Sequence, residues 1–188
     1  MEIGIIIICL ILAAFFSGME IAFVSSNKIY LEIEKKQDNF LSGILTKLTQ
    51  KPSQFIVSML IGNTIVLVVY GFFMGDLIMD WFLGLGYGLN GISNVLIQTT
   101  ISTVVVLVTS EFIPKVFFQI YANSLIKVFA VPAYFFYVLF YFISTFLIWI
   151  SDFILKKFFK TEGDQIPLFF TKIELGNYIS EQMSSVED

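Results

Sequence analysis

Three short groups of polar residues interrupt otherwise apolar stretches of this chain. Ser17, Gly18 and Glu20 fall in FFSGMEIAF; Ser58, Gly62, Asn63 and Thr64 in SMLIGNT; and Thr109, Ser110 and Glu111 precede Pro114 and Lys115 in TSEFIPK. Two carboxylates, one amide oxygen, several hydroxyls and the backbone carbonyls freed by an expected helix break at Pro114 are hard oxygen donors. That set suits Mg²⁺, Ca²⁺ or Na⁺ and lacks the thiolate and imidazole that select softer metals. A carboxylate within a span-length apolar segment costs about 2.5–3.5 kcal/mol on insertion scales, so Glu20 and Glu111 need a partner or a task. Each group also has a plainer reading. Small residues pack helices closely, Glu111 and Lys115 stand at i and i+4 and could neutralise each other, and Glu20 could snorkel to the interface. The convergence of all three groups favours one cation site.

The elements that carry these residues must be membrane helices. The chain of 188 residues is 57% hydrophobic, 17% aromatic and only 14% charged, with a mean hydropathy of +0.85. That is far more apolar surface than a soluble domain of this size buries. Four blocks are long enough for the roughly 20 residues of a crossing helix: 3–24, 55–79, 92–113 and 125–154. A signal peptide is the weaker reading of the first block, because Glu2 stands where a positive charge belongs. The net charge of −4, with no arginine, offers no field for nucleic acid. No histidine and a single cysteine, Cys9, disfavour zinc, haem, an intramolecular disulfide and triad chemistry. No nucleophile–base pair is evident, so the chain does not read as an enzyme.

Lysine placement sets the expected topology. Lys28, Lys35, Lys36, Lys47 and Lys51 follow the first block and none lies in the connection from 80 to 91, so the first connection reads as cytoplasmic and the second as external. The N-terminus is then outside and Lys115 and Lys127 inside. A crossing fourth block would carry Lys156, Lys157 and Lys160 outside. With Pro132 and its Tyr and Phe residues, that block reads instead as re-entrant or lying on the membrane surface, an ordinary fourth span being the alternative. Residues 27–51 have the spacing of an amphipathic helix along the inner leaflet, and Pro52 suits the first turn of the next span. The fold class expected is an all-α integral membrane protein: three transmembrane helices plus a juxtamembrane or re-entrant helical belt. Residues 161–188 are acidic and mixed, and read as a linker.

SGME in the first span, IGNT in the second and SEFIPK at the end of the third resemble the transmembrane domain, often called DUF21, of the CorC/CorB and CNNM proteins. The resemblance covers about residues 1–160, and its most specific element is Glu111 with Pro114 and Lys115. The aromatic-rich style is similar to the gliding-associated GldE branch. The resemblance implies a homodimer, cytoplasmic CBS modules in a longer chain, and efflux of Mg²⁺ or Co²⁺ coupled to Na⁺ by alternating access in the cytoplasmic membrane, its C-terminus cytoplasmic. It also implies metal ligands: the Ser17 side chain, the Gly18 carbonyl, Asn63 and Glu111, with Glu20 matching the bacterial form of the first motif and reading equally as structural or sodium-related. The alternative is a membrane scaffold or sensor with a structural cation site.

Overall fold

The computed structural model describes residues 2–37, 39–84 and 91–159, with side chains to residue 157. Among these residues every regular element is a helix. The expected linker at 161–188 lies outside the described residues, as does most of the connection from 80 to 91.

Helix α1, Glu2–Ser25, has 24 residues and at roughly 36 Å is long and apolar enough to cross a bilayer. Where it ends, Asn27 starts the next helix: its Oδ1 accepts the Ile29 and Tyr30 N–H groups at 2.9 and 3.3 Å. The segment expected as one amphipathic helix is two, α2 (Lys28–Lys35) and α3 (Phe40–Gln50). A second cap divides them, with Asn39 Oδ1 accepting the Ser42 N–H at 2.8 Å, while the Ser42 hydroxyl donates to the carbonyl of Lys35 at the end of α2. Asparagine side chains satisfy the first N–H groups of a helix, so each one starts a new helix. Helix α4, Pro52–Gly84, begins at its proline as expected and runs for 33 residues, longer than the apolar block itself.

The third crossing corrects one expectation. The chain does not break at Pro114. It runs as one apolar helical span from Gly91 to Ile120, formed by α5 (Gly91–Val106), a π-helical segment (Leu107–Phe112) and α6 (Ile113–Ile120). Pro114 has no N–H for the carbonyl one turn back. The chain accommodates this just upstream by widening, with the Ile113 N–H donating to the carbonyl of Val108, five residues earlier.

The fourth block comprises α7 (Ala122–Val128), α8 (Ala130–Leu139) and α9 (Tyr141–Phe159). Helices α7 and α8 meet at 66°. Pro132 explains the joint, because it cannot donate to the carbonyl of Val128, where α7 stops. Three helices are long and apolar enough to cross a membrane, or four if the bent α7–α8 pair is counted as one. The protein is thus a multi-pass, all-α membrane protein with three long spans and a set of shorter helices beside them.

Those shorter helices form a belt around one end of the spans. A single apolar cluster joins Phe16, Met19 and Ala22 of α1, Leu45 and Leu48 of α3, Phe55 and Met59 of α4, Phe118 of α6, Ile126 of α7 and Ala133 and Tyr137 of α8. The apolar stripe of α3 therefore packs on protein as well as facing the membrane. The far end has a much smaller cluster of Ile6, Cys9 and Tyr70, and α5 buries none of its residues.

Candidate cation site

Ser17 lies where α1 meets both other spans. The residue before it, Phe16, lies on α4 because Gly62 has no side chain; a Cβ there would sit 2.6 Å from the Phe16 ring. The residue after it, Gly18, faces α6, and a Cβ on it would sit 2.6 Å from the ring of Phe118. Two glycines, one on each helix, thus bring three backbones together around Ser17. Ser17 is completely buried.

Its hydroxyl departs from the local rule. A serine or threonine inside a helix usually turns its hydroxyl back to the carbonyl of residue i−4. Ser58 does so to Gln54 at 2.7 Å, Thr64 to Leu60 at 2.9 Å and Thr109 to Val105 at 2.6 Å. Ser110 instead donates across to the carbonyl of Leu10 on α1, at 3.2 Å. Ser17 Oγ has no partner. Among the described residues only one other buried polar side-chain atom has none, Asn63 Oδ1, which follows Gly62 at the same α1–α4 crossing. Two residues expected to be ligands thus each carry a buried oxygen without a partner, on two helices that pack against each other. An unsatisfied polar group away from water costs about 1–3 kcal/mol, so two at one crossing mark a place built for something that supplies the missing contacts.

The carboxylates flank this pair. Glu111 lies in the π segment, next to Ser110, at a level of α1 between the contacts that Ser110 makes at Leu10 and Phe118 makes at Gly18, on the side of Ser17 away from the belt. The offset along the axis is one to two turns, about 5–9 Å. Glu20 lies about one turn from Ser17 on the belt side. Both are half-buried and neither makes an ion pair among the described residues, so Glu111 and Lys115 do not neutralise each other. Among the described residues no three His, Cys, Asp or Glu side chains cluster as metal ligands. A cation bound here would be held by neutral oxygens with single carboxylates to either side, a donor set that fits a hard, oxygen-seeking ion.

A family comparison matches nearly the whole chain. The profile described as Cyclin M transmembrane N-terminal domain covers residues 4–187. The chain belongs to this family. Two curated relatives are similar to it: the UPF0053 inner membrane protein YfjD of Escherichia coli, 27% identical over 93% of this chain, and a UPF0053 protein of Haemophilus influenzae, 33% identical over 64% of it. The chain spans 39% of the first relative's length and 27% of the second's.

Three polar links that sequence reasoning did not find hold the shorter helices of the cyclin M domain to one another and to α4. The Asn27 N–H donates to Asn123 Oδ1 at 2.8 Å. Lys127 pairs with Glu34 at 2.8 Å, joining α7 to α2. The hydrogen bond from Lys127 holds the Glu34 carboxyl below the usual carboxylate range, and the same bond pushes the Lys127 ammonium up. Gln54, near the start of α4, accepts from Tyr137 at 3.3 Å and donates to Thr145 at 2.8 Å. An amide one turn into a span is the signal that could have pointed to it.

Proposed function

We propose that this chain is the membrane domain of a divalent-cation transporter, with Mg²⁺ as cargo and Co²⁺ as a second candidate. The supporting observation is the pair of orphaned oxygens, Ser17 Oγ and Asn63 Oδ1, buried at the crossing of the family's motif residues. The Gly18 carbonyl and Glu111 complete the proposed set, and Glu20 stands on the belt side of it. Dehydrating Mg²⁺ is strongly resisted, so a transport site must replace several waters with protein oxygens. The flanking carboxylates give the proposed path a negative charge on each side of the neutral pair. A cation entering past Glu20 would exchange water for Ser17 and Asn63 and leave past Glu111, with the glycine contacts at Gly18 and Gly62 as the surfaces on which α1 shifts between opposite-facing states. The proposal includes coupling to Na⁺, an N-terminus outside and a C-terminus in the cytoplasm, an inner-membrane location, CBS modules in a longer chain, and a homodimer.

Mg²⁺ flux in proteoliposomes tests this reading, with and without a Na⁺ gradient, comparing the native chain with Ser17→Ala, Asn63→Ala and Glu111→Gln. We expect Mg²⁺ binding to the native chain to be lost in each variant while insertion and elution are unchanged. Normal Mg²⁺ binding by Glu111→Gln would remove that residue from the site. Binding that depends on all three residues, without flux from a longer chain carrying its cytoplasmic modules, would replace transport with a structural ion in a scaffold.

A further inference from the structure

Beside Phe118 lies a groove of about 510 Å³, within the roughly 300–1,000 Å³ range of small-ligand sites. Its walls are Ile11, Ala14 and Phe15 of α1, Pro114 and Phe117 of α6, and Phe129, Pro132 and Phe136 from the α7–α8 joint. No polar side chain lines it. Ile11, Ile113 and Phe117 are each more than half exposed, so the groove opens sideways from the helix bundle, where a membrane protein meets hydrocarbon rather than water.

A charge stands beside the groove. Lys115 follows Pro114, half-buried, and makes no ion pair among the described residues, whereas the two pairs that do form use Lys35 and Lys127. Lys115 lies five residues before the end of its span at Ile120, and a long lysine side chain can extend its ammonium toward the headgroup level, where it attracts anionic lipids.

We propose that this groove is a binding site for an anionic phospholipid, with one acyl chain between α1, α6 and the α7–α8 joint and the headgroup at Lys115. The groove is lined in part by Phe118, whose ring abuts Gly18, one residue from Ser17, so the lipid would lie close to the candidate cation site. The inference does not depend on what the cation site carries.

The test uses the full chain in phosphatidylcholine nanodiscs containing a small fraction of photoreactive lipid with a diazirine near the acyl terminus, as phosphatidylglycerol or as phosphatidylcholine, with adducts mapped by mass spectrometry. We expect adducts on the peptides containing residues 11–15 and 113–118, several-fold more with the phosphatidylglycerol probe. Ala14→Phe, which fills the groove, should remove these adducts but not those on α5. Lys115→Gln, a change at the groove's edge that leaves the packing intact, should abolish the preference for phosphatidylglycerol. Equal labelling by the two probes, no labelling of these peptides, or a preference that survives Lys115→Gln would each overturn the proposal, whether or not Ala14→Phe folds.

Discussion

At the belt end α1 packs against α4, α6 and α7, and Phe16, Met19 and Ala22 are almost fully removed from their surroundings. At the far end α5 buries no residue, and the only buried cluster among the described residues there is Ile6, Cys9 and Tyr70. Yet α5 is the more polar helix, carrying Gln98, Thr99, Thr100, Ser102 and Thr103. In lipid, burial gains little from the hydrophobic effect, and close packing and polar contacts decide which helices stay together. One end of the protomer is therefore complete by its own packing, while the other presents amide and hydroxyl groups that a second copy, as proposed above, would cover. The candidate site lies at the edge of the rigid end. That location suits a site that must hold its ligands in place while the helices beyond it remain free to move.

The strongest way to break this comparison is to remove a fully buried ring at the belt end. Phe16→Ala should destabilise the protomer by about 3–5 kcal/mol, toward the lower figure because an unfolded segment that stays in lipid does not expose the ring to water. Leu96→Ala on α5, where the side chain is exposed, should change stability by less than about 0.5 kcal/mol. Unfolding in detergent under conditions that keep the chain monomeric measures both. Equal effects would mean that the two ends are not built differently.

The glycines sharpen the same contrast with smaller changes. Gly62→Ala and Gly18→Ala each place a methyl 2.6 Å from ring carbons of Phe16 and Phe118, and overpacking of that kind costs about 1–3 kcal/mol. Gly71→Ala, with nothing within 4 Å, should be neutral or slightly stabilising, since alanine favours helix by about 1 kcal/mol over glycine. Thermal melts of the three variants would test this. A stable Gly62→Ala would show that the Phe16 ring can yield and that the crossing is looser than its geometry.

Much of this contrast was legible in the sequence. Ser17, Gly18, Gly62 and Asn63 stood out because polar and small residues are costly or unusual in apolar helices; the glycines prove to be close-contact points, and Ser17 and Asn63 each carry an unpartnered buried oxygen. The three spans followed from apolar length, and the start of α4 from Pro52. What was not legible depends on partners distant in sequence. Pro114 reads locally as a break, and whether a helix breaks or widens into a π segment depends on what the neighbouring helix offers; here Ser110 donates to Leu10. The division of α2 from α3 was written in Asn39, but the helical period of the apolar residues across it hid the cap. The joint at Pro132 was visible, whereas the Glu34–Lys127 link, 93 residues apart, leaves no local pattern.

Ser17→Ala tests the boundary between the two ends, and its expected sign is unusual for a core substitution. Removing a satisfied hydroxyl destabilises, but Ser17 Oγ has no partner, so its removal should raise the melting temperature in chelator, by a gain of about 1 kcal/mol. Any stabilisation that the native chain gains from Mg²⁺ should be absent in the variant, because a ligand stabilises only the state that binds it. Ser58→Ala, which removes a hydroxyl bonded to Gln54, is the control and should show no such gain. A loss of stability for Ser17→Ala in chelator would mean that the hydroxyl already has a partner.

The smallest effect belongs to the belt link between Glu34 and Lys127, where the sign follows from the two shifts. Glu34 is held below the usual carboxylate range, so its contribution is complete above the ordinary glutamate value of about 4.3 and is lost as pH falls through the lowered folded value. Lys127 is raised, so its contribution is complete below the ordinary lysine value of about 10.4 and is lost as pH rises through the raised folded value. Between these limits the pair should make stability flat with pH. Because the Lys127 side chain is 35% exposed, solvent screens the pair and keeps both losses small. Melting temperatures across an acid titration should therefore fall slightly less steeply for Glu34→Gln than for the native chain, while the two curves run parallel near neutral pH. A large divergence at neutral pH would show that α2 holds α7 in place through this one link, and that the belt end depends on it rather than on the apolar cluster beneath.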